Sequence, residues 1–362
     1  MPDVLFTGFP GYLGSRLLPR VLERSPEQRA ICLVQPKFSV LARQRVQELV
    51  IAHPSLEGRI ELAEGDITAP DLGLGASREL REGVEEIYHL AAVYNLSVSR
   101  EIGMRVNVDG TRHMLDFAEK CPNLRRFQYI STCYVSGRYA GAFTEDDLDK
   151  GQVFNNYYEE TKFLAEAEVQ MRMAEGMPAT IYRPAIVVGD SRTGETQKFD
   201  GPYYVIRWLL RQPYVAVLPV VGDSKSYRAN LVPQDFVIEA MAHLSGREDS
   251  AGEVYQLADP SPLTVDELIQ VIGRAAHRRV VRIPMMKFAA KALIDHVPGV
   301  YQLMQIPAPA VDYFAHPTHY TSFHTQRDLQ GTGISCPPFK TYVKRLVDFV
   351  RAHPEISGEA MT

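Results

Sequence analysis

One stretch constrains the fold more than any other: Val4-Leu5-Phe6-Thr7-Gly8-Phe9-Pro10-Gly11-Tyr12-Leu13-Gly14. An apolar run leads into three glycines at three-residue spacing, and an amphipathic pattern begins near Tyr12. This order predicts a strand, a tight turn and a helix. Glycines let a backbone approach a ligand closely, and the unpaired N–H groups of a helix's first turn face negative charge. The geometry suits a dinucleotide pyrophosphate, with Gly8, Gly11, Tyr12, Leu13 and Gly14 as candidate contacts. The spacing is one residue wider than the common Gly-x-Gly-x-x-Gly fingerprint. Taken alone, the stretch also reads as a strand–helix turn with no ligand.

The alternation continues. Apolar runs at 4–7, 30–34, 60–63, 86–90, 127–131 and 180–183 predict strands, and helical patterns fall over 12–24, 40–51, 105–120 and 153–174. Such alternation predicts an α/β fold, a doubly wound Rossmann-type parallel sheet with right-handed crossovers and ligands beyond the strands' carboxyl ends. Beyond Gly189 the pattern loosens into a helix at 203–210, a strand end and helix at 230–246 and a strand at 254–257. A helix capped by Thr264 and Glu267 follows, then an apolar stretch at 285–312 and a last helix at 339–352. We expect a dinucleotide-binding domain (1–200 and 228–260) and a smaller, mostly helical carboxyl-terminal substrate lobe (201–227 and 261–362).

Composition removes several classes. A net charge of −5 gives no footprint for nucleic acid or an acidic membrane surface. No run is long and apolar enough for a membrane span; the nearest, 296–311, is broken by Pro298, Pro307 and Pro309. A strand from about residue 3 leaves no room for a signal peptide. Cys32, Cys121, Cys133 and Cys336 form no Cys-x-x-Cys pair, which favours a reducing, cytoplasmic setting. His316, His319 and His324 lie close together around Pro317 without a helical His-Glu-x-x-His, so no metal is assigned.

Two further signals carry chemistry. In Tyr158-Glu159-Glu160-Thr161-Lys162, the Tyr and Lys share a helix face. A phenol titrates near 10, and a neighbouring ammonium lowers that value and poises it as an acid. Ser131-Thr132 ends the fifth strand and places a hydroxyl at the sheet's carboxyl edge, where it can bind the same carbonyl oxygen. The bland alternatives are a surface pair and a strand-end cap.

Thr7–Gly14, Gly65-Asp66-Ile67, His89-Leu90-Ala91-Ala92, Asn107-Val108-Asp109-Gly110-Thr111, Ser131-Thr132, Tyr158-x-x-x-Lys162 and Arg183-Pro184 occur in that order. The set resembles the extended short-chain dehydrogenases/reductases. The resemblance implies Tyr158 as acid/base, Lys162 on the nicotinamide ribose, and Thr132 (less so Ser131) on the reacting oxygen. It further implies Asp66 and Ile67 at the adenine and Ala91 and Ala92 at the cofactor's middle. Pro184, Ile186 and Val187 would lie on the nicotinamide, and Asn107 would support the site by hydrogen bonds. The second strand ends Val34-Gln35-Pro36-Lys37, with Arg43 beyond, and lacks the carboxylate that binds an NAD ribose. NADP(H) is therefore the expected cofactor, with Lys37 and Arg43 near its 2′-phosphate.

Phe154–Lys162, Arg183–Gly194, Asn230–Val237 and Gly331–Phe339 are similar to the thioester reductase and fatty acyl-CoA reductase branch. The implied reaction is hydride transfer to an acyl thioester, giving an aldehyde and, with a second hydride, an alcohol. Tyr203, Tyr204, Trp208, Met285, Met286, Phe288, Leu293, Leu303 and Met304 would suit a long acyl chain, or serve only as lobe packing. The alternative is an extended reductase or epimerase of a secondary alcohol, ketone or nucleotide sugar, with Arg228 as a diphosphate contact. A nicotinamide-sensing regulator with a dead site is a third reading, disfavoured because both Tyr158 and Lys162 are present. The implied partner is a small-molecule substrate, and a homodimer is left open.

Overall fold

The computed structural model describes residues 3–75, 77–286, 312–313 and 315–358. Seven apolar runs become strands: β1 (Asp3–Thr7), β2 (Arg29–Val34), β3 (Ile60–Glu64), β4 (Val84–His89), β5 (Arg126–Ile130), β6 (Ala179–Pro184) and β7 (Val254–Leu257). They pair in the order β7-β6-β5-β4-β1-β2-β3, every pair parallel. All five residues of β1 and all six of β6 are buried, as expected of a sheet covered on both faces. Strand alternation sends Val4, Phe6, Tyr88, Tyr182 and Tyr255 to one core and Leu5, Ile87, Phe127, Tyr129 and Ile181 to the other.

The covering helices are α1 (Tyr12–Glu23), α2 (Ser39–Ala52), α3 (Gly110–Ala118), α4 (Tyr157–Ala174), α5 (Pro202–Leu210), α6 (Gln234–Ser245), α7 (Val265–Ala275) and α8 (Phe339–Ala352). Helix α1 runs through Pro19, which is buried within it. Helix α4 starts four residues later than its apolar pattern because Asn156 caps it, its Oδ1 accepting from the Glu159 N–H at 3.0 Å. The predicted 105–120 helix is interrupted: a π-helical turn spans Met104–Asp109 and only then does α3 begin. The Thr264–Glu267 capping box is present, with bonds of 3.2 and 2.8 Å.

A third apolar cluster lies around α5, α7 and α8 and includes Phe199, Ile206, Leu268 and Leu346. This lobe is less purely helical than expected, since Val215–Val221 and Arg279–Met285 pair as a parallel two-stranded ribbon. Leu231–Pro233 does not join the main sheet but pairs with Ile186–Val188 beside it, whereas Val254–Leu257 joins it as edge strand β7. Among the described residues no helix is long and apolar enough to cross a membrane. Phe288, Leu293, Leu303, Met304 and the whole 296–311 run lie outside the described residues.

Candidate active site

Strand order reverses between β1 and β4, and the crevice beyond their carboxyl ends is where such sheets bind ligands. The glycine turn lies there. Gly8 has φ +83°, and a Cβ on it would stand 2.8 Å from Leu90 Cβ and 3.0 Å from the Ala91 nitrogen. A Cβ on Gly14 would stand 2.5 Å from the Gly8 carbonyl oxygen. The turn is closed by the Gly11 N–H donating to Gly8 O at 2.9 Å. Helix α1 then starts with no side-chain cap and no acidic residue in its first turn, so the N–H end at Tyr12, Leu13 and Gly14 stays suited to an anion. The 189–200 loop closes over this end: the Tyr12 hydroxyl donates to Glu195 O at 2.8 Å and Arg16 pairs with the Glu195 carboxylate at 2.6 Å.

The fold brings Thr132 and Tyr158 together. Thr132 lies just past the end of β5, buried, with its hydroxyl close enough to the Tyr158 phenol to influence its titration. The same Oγ1 accepts from the Tyr134 N–H at 3.2 Å, so the residue is also the strand-end cap of the bland reading. Ser131 is used elsewhere, donating to the buried Glu166 carboxylate. Burial pushes the half-buried Tyr158 phenol up to about 12, and the neighbouring Thr132 hydroxyl only partly opposes this. The expected lowering by Lys162 is absent because burial dominates and because that ammonium is turned inward. Lys162 is itself buried and donates to the Tyr129 hydroxyl at 2.9 Å and to Ile130 O at 2.8 Å. Burial brings its pKa down to about 7, while the Glu166 charge acts to raise it.

Asn107 spends its whole amide on three hydrogen bonds. Its Oδ1 accepts from the Val93 N–H at 2.8 Å, and its Nδ2 donates to Val93 O at 3.1 Å and to Thr161 Oγ1 at 3.0 Å. It thereby ties the Ala91–Ala92 segment to α4, and the π-helical turn it sits on is a common device at functional sites. Pro184 lies beside Thr132, whose hydroxyl is 3.4 Å from Pro184 O, and Ile186 and Val187 continue as a short strand.

At the far end of the crevice, the Asp66 carboxylate accepts from Gln35 Nε2 and the Thr68 N–H, both at 2.8 Å. The Ile67 side chain is buried against Gly110, and its carbonyl lies 2.9 Å from His113 Nδ1. Lys37 and Arg43 are exposed beyond the end of β2, Lys37 lying 4.8 Å over the Phe38 ring. Arg228 donates to Pro262 O at 2.6 Å and ties down the turn before α7. Sequence reasoning missed Glu166 and Tyr129. The (i, i+4) spacing of Lys162 and Glu166 and the place of Tyr129 near a strand end were the available signals.

The family described as Male sterility protein matches residues 6–241. A linear gramicidin synthase of Brevibacillus parabrevis is 28% identical over 281 residues, covering 74% of this chain and 5% of that protein. Fatty acyl-CoA reductase wat of Drosophila melanogaster is 27% identical over 292 residues, covering 70% of this chain and 55% of that one. The first curated relatives are far longer; the chain spans 5% to 25% of their length. Among solved structures, the terminal R domain from the myxalamid PKS-NRPS biosynthetic pathway superposes with TM-score 0.82 at 26% identity, covering 99% of this chain and 92% of that one. UDP-glucuronic acid 4-epimerase from Bacillus cereus shares the fold with TM-score 0.66 at 19% identity, covering 99% of both chains.

Proposed function

We propose that this chain, which belongs to the Male sterility protein family and is an oxidoreductase of the short-chain dehydrogenase/reductase type, uses NADPH to reduce acyl thioesters. The observation that carries the reading is the approach of Tyr158, at the start of α4, to the buried Thr132 just past the carboxyl end of β5, on the side of the sheet where the glycine turn lies. The turn fits a dinucleotide because Gly8 and Gly14 leave no room for a Cβ and α1 presents an uncapped amino terminus. Fatty acyl-CoA reductase wat, by its name a reductase of an acyl thioester, supports the substrate class.

When bound, the nicotinamide supplies a hydride to the thioester carbon. Thr132 and Tyr158 hold the carbonyl oxygen, and their O–H groups stabilise the charge that develops there. A phenol held near 12 is protonated at neutral pH, the correct state for giving its proton to that oxygen. Lys162 has two of its three donors engaged inside the protein and keeps the third for the cofactor ribose. The resulting hemithioacetal releases a thiol and leaves an aldehyde, and the same groups serve a second reduction to the alcohol.

NADPH is preferred to NADH in this reading. Gln35 stands where an NAD site places a carboxylate, and exposed Lys37 and Arg43 flank it. The test is an assay of the purified chain with NADPH and a panel of acyl-CoA and acyl-carrier thioesters, reading thiol release and identifying products by mass. Thiol release is expected, and Tyr158→Phe should lower it about 10²–10⁴-fold with NADPH binding retained. Failure of every thioester to release thiol overturns the reading.

A further inference from the structure

Two separate pieces of chain carry the hydroxyls of the site, and one distant segment touches both. Thr132 opens the turn after β5, and its Oγ1 accepts from the N–H of the buried Tyr134 at 3.2 Å. Tyr158 lies in the first turn of α4, two residues after the cap Asn156. The Tyr313 ring stands T-shaped against the Tyr134 ring with centroids 4.7 Å apart, and the Tyr313 hydroxyl accepts from Asn156 Nδ2 at 3.1 Å. Each of these contacts is two residues from one of the two hydroxyls.

A side chain can hold two arms apart only if it is itself held. Asn156 divides its amide: Oδ1 accepts from the Glu159 N–H at 3.0 Å and closes the first turn of α4, while Nδ2 reaches Tyr313. Glu159, the residue after Tyr158, is fully buried, and its carboxylate accepts from the Asn155 N–H at 2.8 Å and from Asn155 Nδ2 at 3.1 Å. The segment bearing Tyr313 is anchored a few residues further on. Thr318–Tyr320 pairs in parallel with Gly141–Phe143, and Thr318 Oγ1 donates to Tyr139 O at 2.6 Å. The Tyr320 hydroxyl lies 2.7 Å from His316 Nε2 and 2.9 Å from Ser136 Oγ, and the His316 ring packs 4.9 Å from that of Tyr134.

We propose that Tyr313 is a positioning residue that sets the separation of Thr132 and Tyr158, its ring bearing on the first arm and its hydroxyl on the second. This rests on the reading of Thr132 and Tyr158 as the pair that holds the substrate oxygen. Other ties join the arms on either side of the first turn of α4. Lys162 donates to Ile130 O at 2.8 Å one turn further along the helix, and before it Gln152 Nε2 donates to Val135 O and the Arg138 N–H to Val153 O, both at 2.8 Å. Tyr158 lies between these ties, and Tyr313 reaches its turn through the cap itself. Two O–H groups must be aimed at one atom, and a misplacement of about 1 Å can cost about 10²-fold in rate.

Tyr313→Phe keeps the ring on Tyr134 and removes the bond to Asn156, whereas Asn156→Ser keeps an oxygen for the cap and removes the same bond. The experiment compares wild type, these two variants, their double and Thr318→Val. It reads kcat per bound NADPH and KM with the most active acyl-CoA of the thioester panel, NADPH affinity by fluorescence titration, and thermal unfolding. Each single variant should lower kcat about three- to tenfold, with KM and the NADPH Kd within about twofold of wild type. The double should be no worse than the poorer single variant, because both remove one interaction. Thr318→Val loosens the same segment away from both hydroxyls and should lower the melting midpoint with kcat per bound NADPH unchanged. Unchanged kcat in both single variants, losses that multiply in the double, an equal kcat loss in Thr318→Val, or loss of the fold in both single variants overturns the inference; where one of them fails to fold, the other decides. If Tyr158→Phe keeps wild-type kcat, the underlying reading of the pair falls instead.

Discussion

Replacing Glu166 with Gln should be the most damaging single change near the site that leaves the proposed reacting groups intact. Arg183 and Glu166 both have fully buried side chains. Glu166 Oε1 accepts from Arg183 Nε at 2.9 Å and Nη2 at 2.6 Å and from Gln170 at 3.0 Å, and Oε2 accepts from Ser131. Glutamine keeps the shape but removes the countercharge and presents an amide to a guanidinium or a hydroxyl. The guanidinium keeps its bonds to the carbonyls of Asp147, Thr144 and Glu145, yet its charge stays uncompensated in the interior. Breaking a buried pair from one side costs about 3–5 kcal/mol. At about 2 °C per kcal/mol, the lower end for large domains, the melting midpoint should fall by roughly 6–10 °C. The double variant Glu166→Gln/Arg183→Met should recover at least half of the loss, because no lone charge is left. Glu166 also helps hold the Lys162 ammonium charged, so the single variant should lose reductase activity at pH 7 more than at pH 6. The assays are thermal or urea unfolding of the three proteins and thioester reduction at the two pH values. A loss below about 1 kcal/mol, or a double variant as unstable as the single one, would refute the reasoning.

Lys162 should leave its mark on pH dependence in two ways. Reduction should fall as pH rises through about 7, where the ammonium loses its proton, while Tyr158 at about 12 stays protonated throughout. For stability the sign is opposite: the folded pKa lies below the unfolded value of about 10.4, so between these limits the unfolded chain binds more protons and stability rises with pH. Lys162→Met should flatten that slope in urea titrations at pH 6 and 9; an unchanged slope would count against a buried ammonium. Gly8→Ala meets both a φ of +83° and a 2.8 Å contact with Leu90, and should weaken NADPH binding at least tenfold by fluorescence titration. Asn107→Ala should weaken NADPH binding by a comparable factor, since the Val93 N–H, Val93 carbonyl and Thr161 hydroxyl all lose a bond; wild-type affinity would show that the Ala91–Ala92 segment is held without it.

The sheet was legible because β1, β2, β5 and β6 are buried on both faces and so read as short apolar runs bounded by turn residues. Strand β7 and helices α1, α5 and α8 fall within a residue of their patterns for this reason. The lobe was less legible. Val215–Val221 and Arg279–Met285 bury only one face of each strand, and their pairing joins segments with α7 between them, which no local pattern announces. The π-helical turn at Met104–Asp109 was invisible because it continues a helical pattern and contains no Gly or Pro to interrupt it; what distinguishes it is the demand of Asn107 for two partners on Val93 and one on Thr161. Thr132, Tyr158 and Lys162 were named by their motifs and the family resemblance those motifs carry, but the direction of the Tyr158 shift could not be read from them. Spacing puts an ammonium one turn from the phenol; only coordinates show it buried and turned toward Tyr129 and Ile130.

The residues that matter most for that orientation are far apart in sequence and adjacent for a topological reason. Thr7 and His89 end β1 and β4 and Tyr129 is the last residue but one of β5, and parallel pairing at one register places them side by side. A slip of one residue in β4 would send His89 to the opposite face of the sheet and bring Tyr88 into its place. Tyr88 instead lies in the other core, where its hydroxyl accepts from Arg24 at 2.7 Å. The same alternation that builds two cores therefore also selects which polar side chains can reach Lys162. The register of the central strands is then a determinant of the site's chemistry and not only of its stability: whatever fixes His89 against Tyr129 fixes the hydroxyl that receives the site lysine.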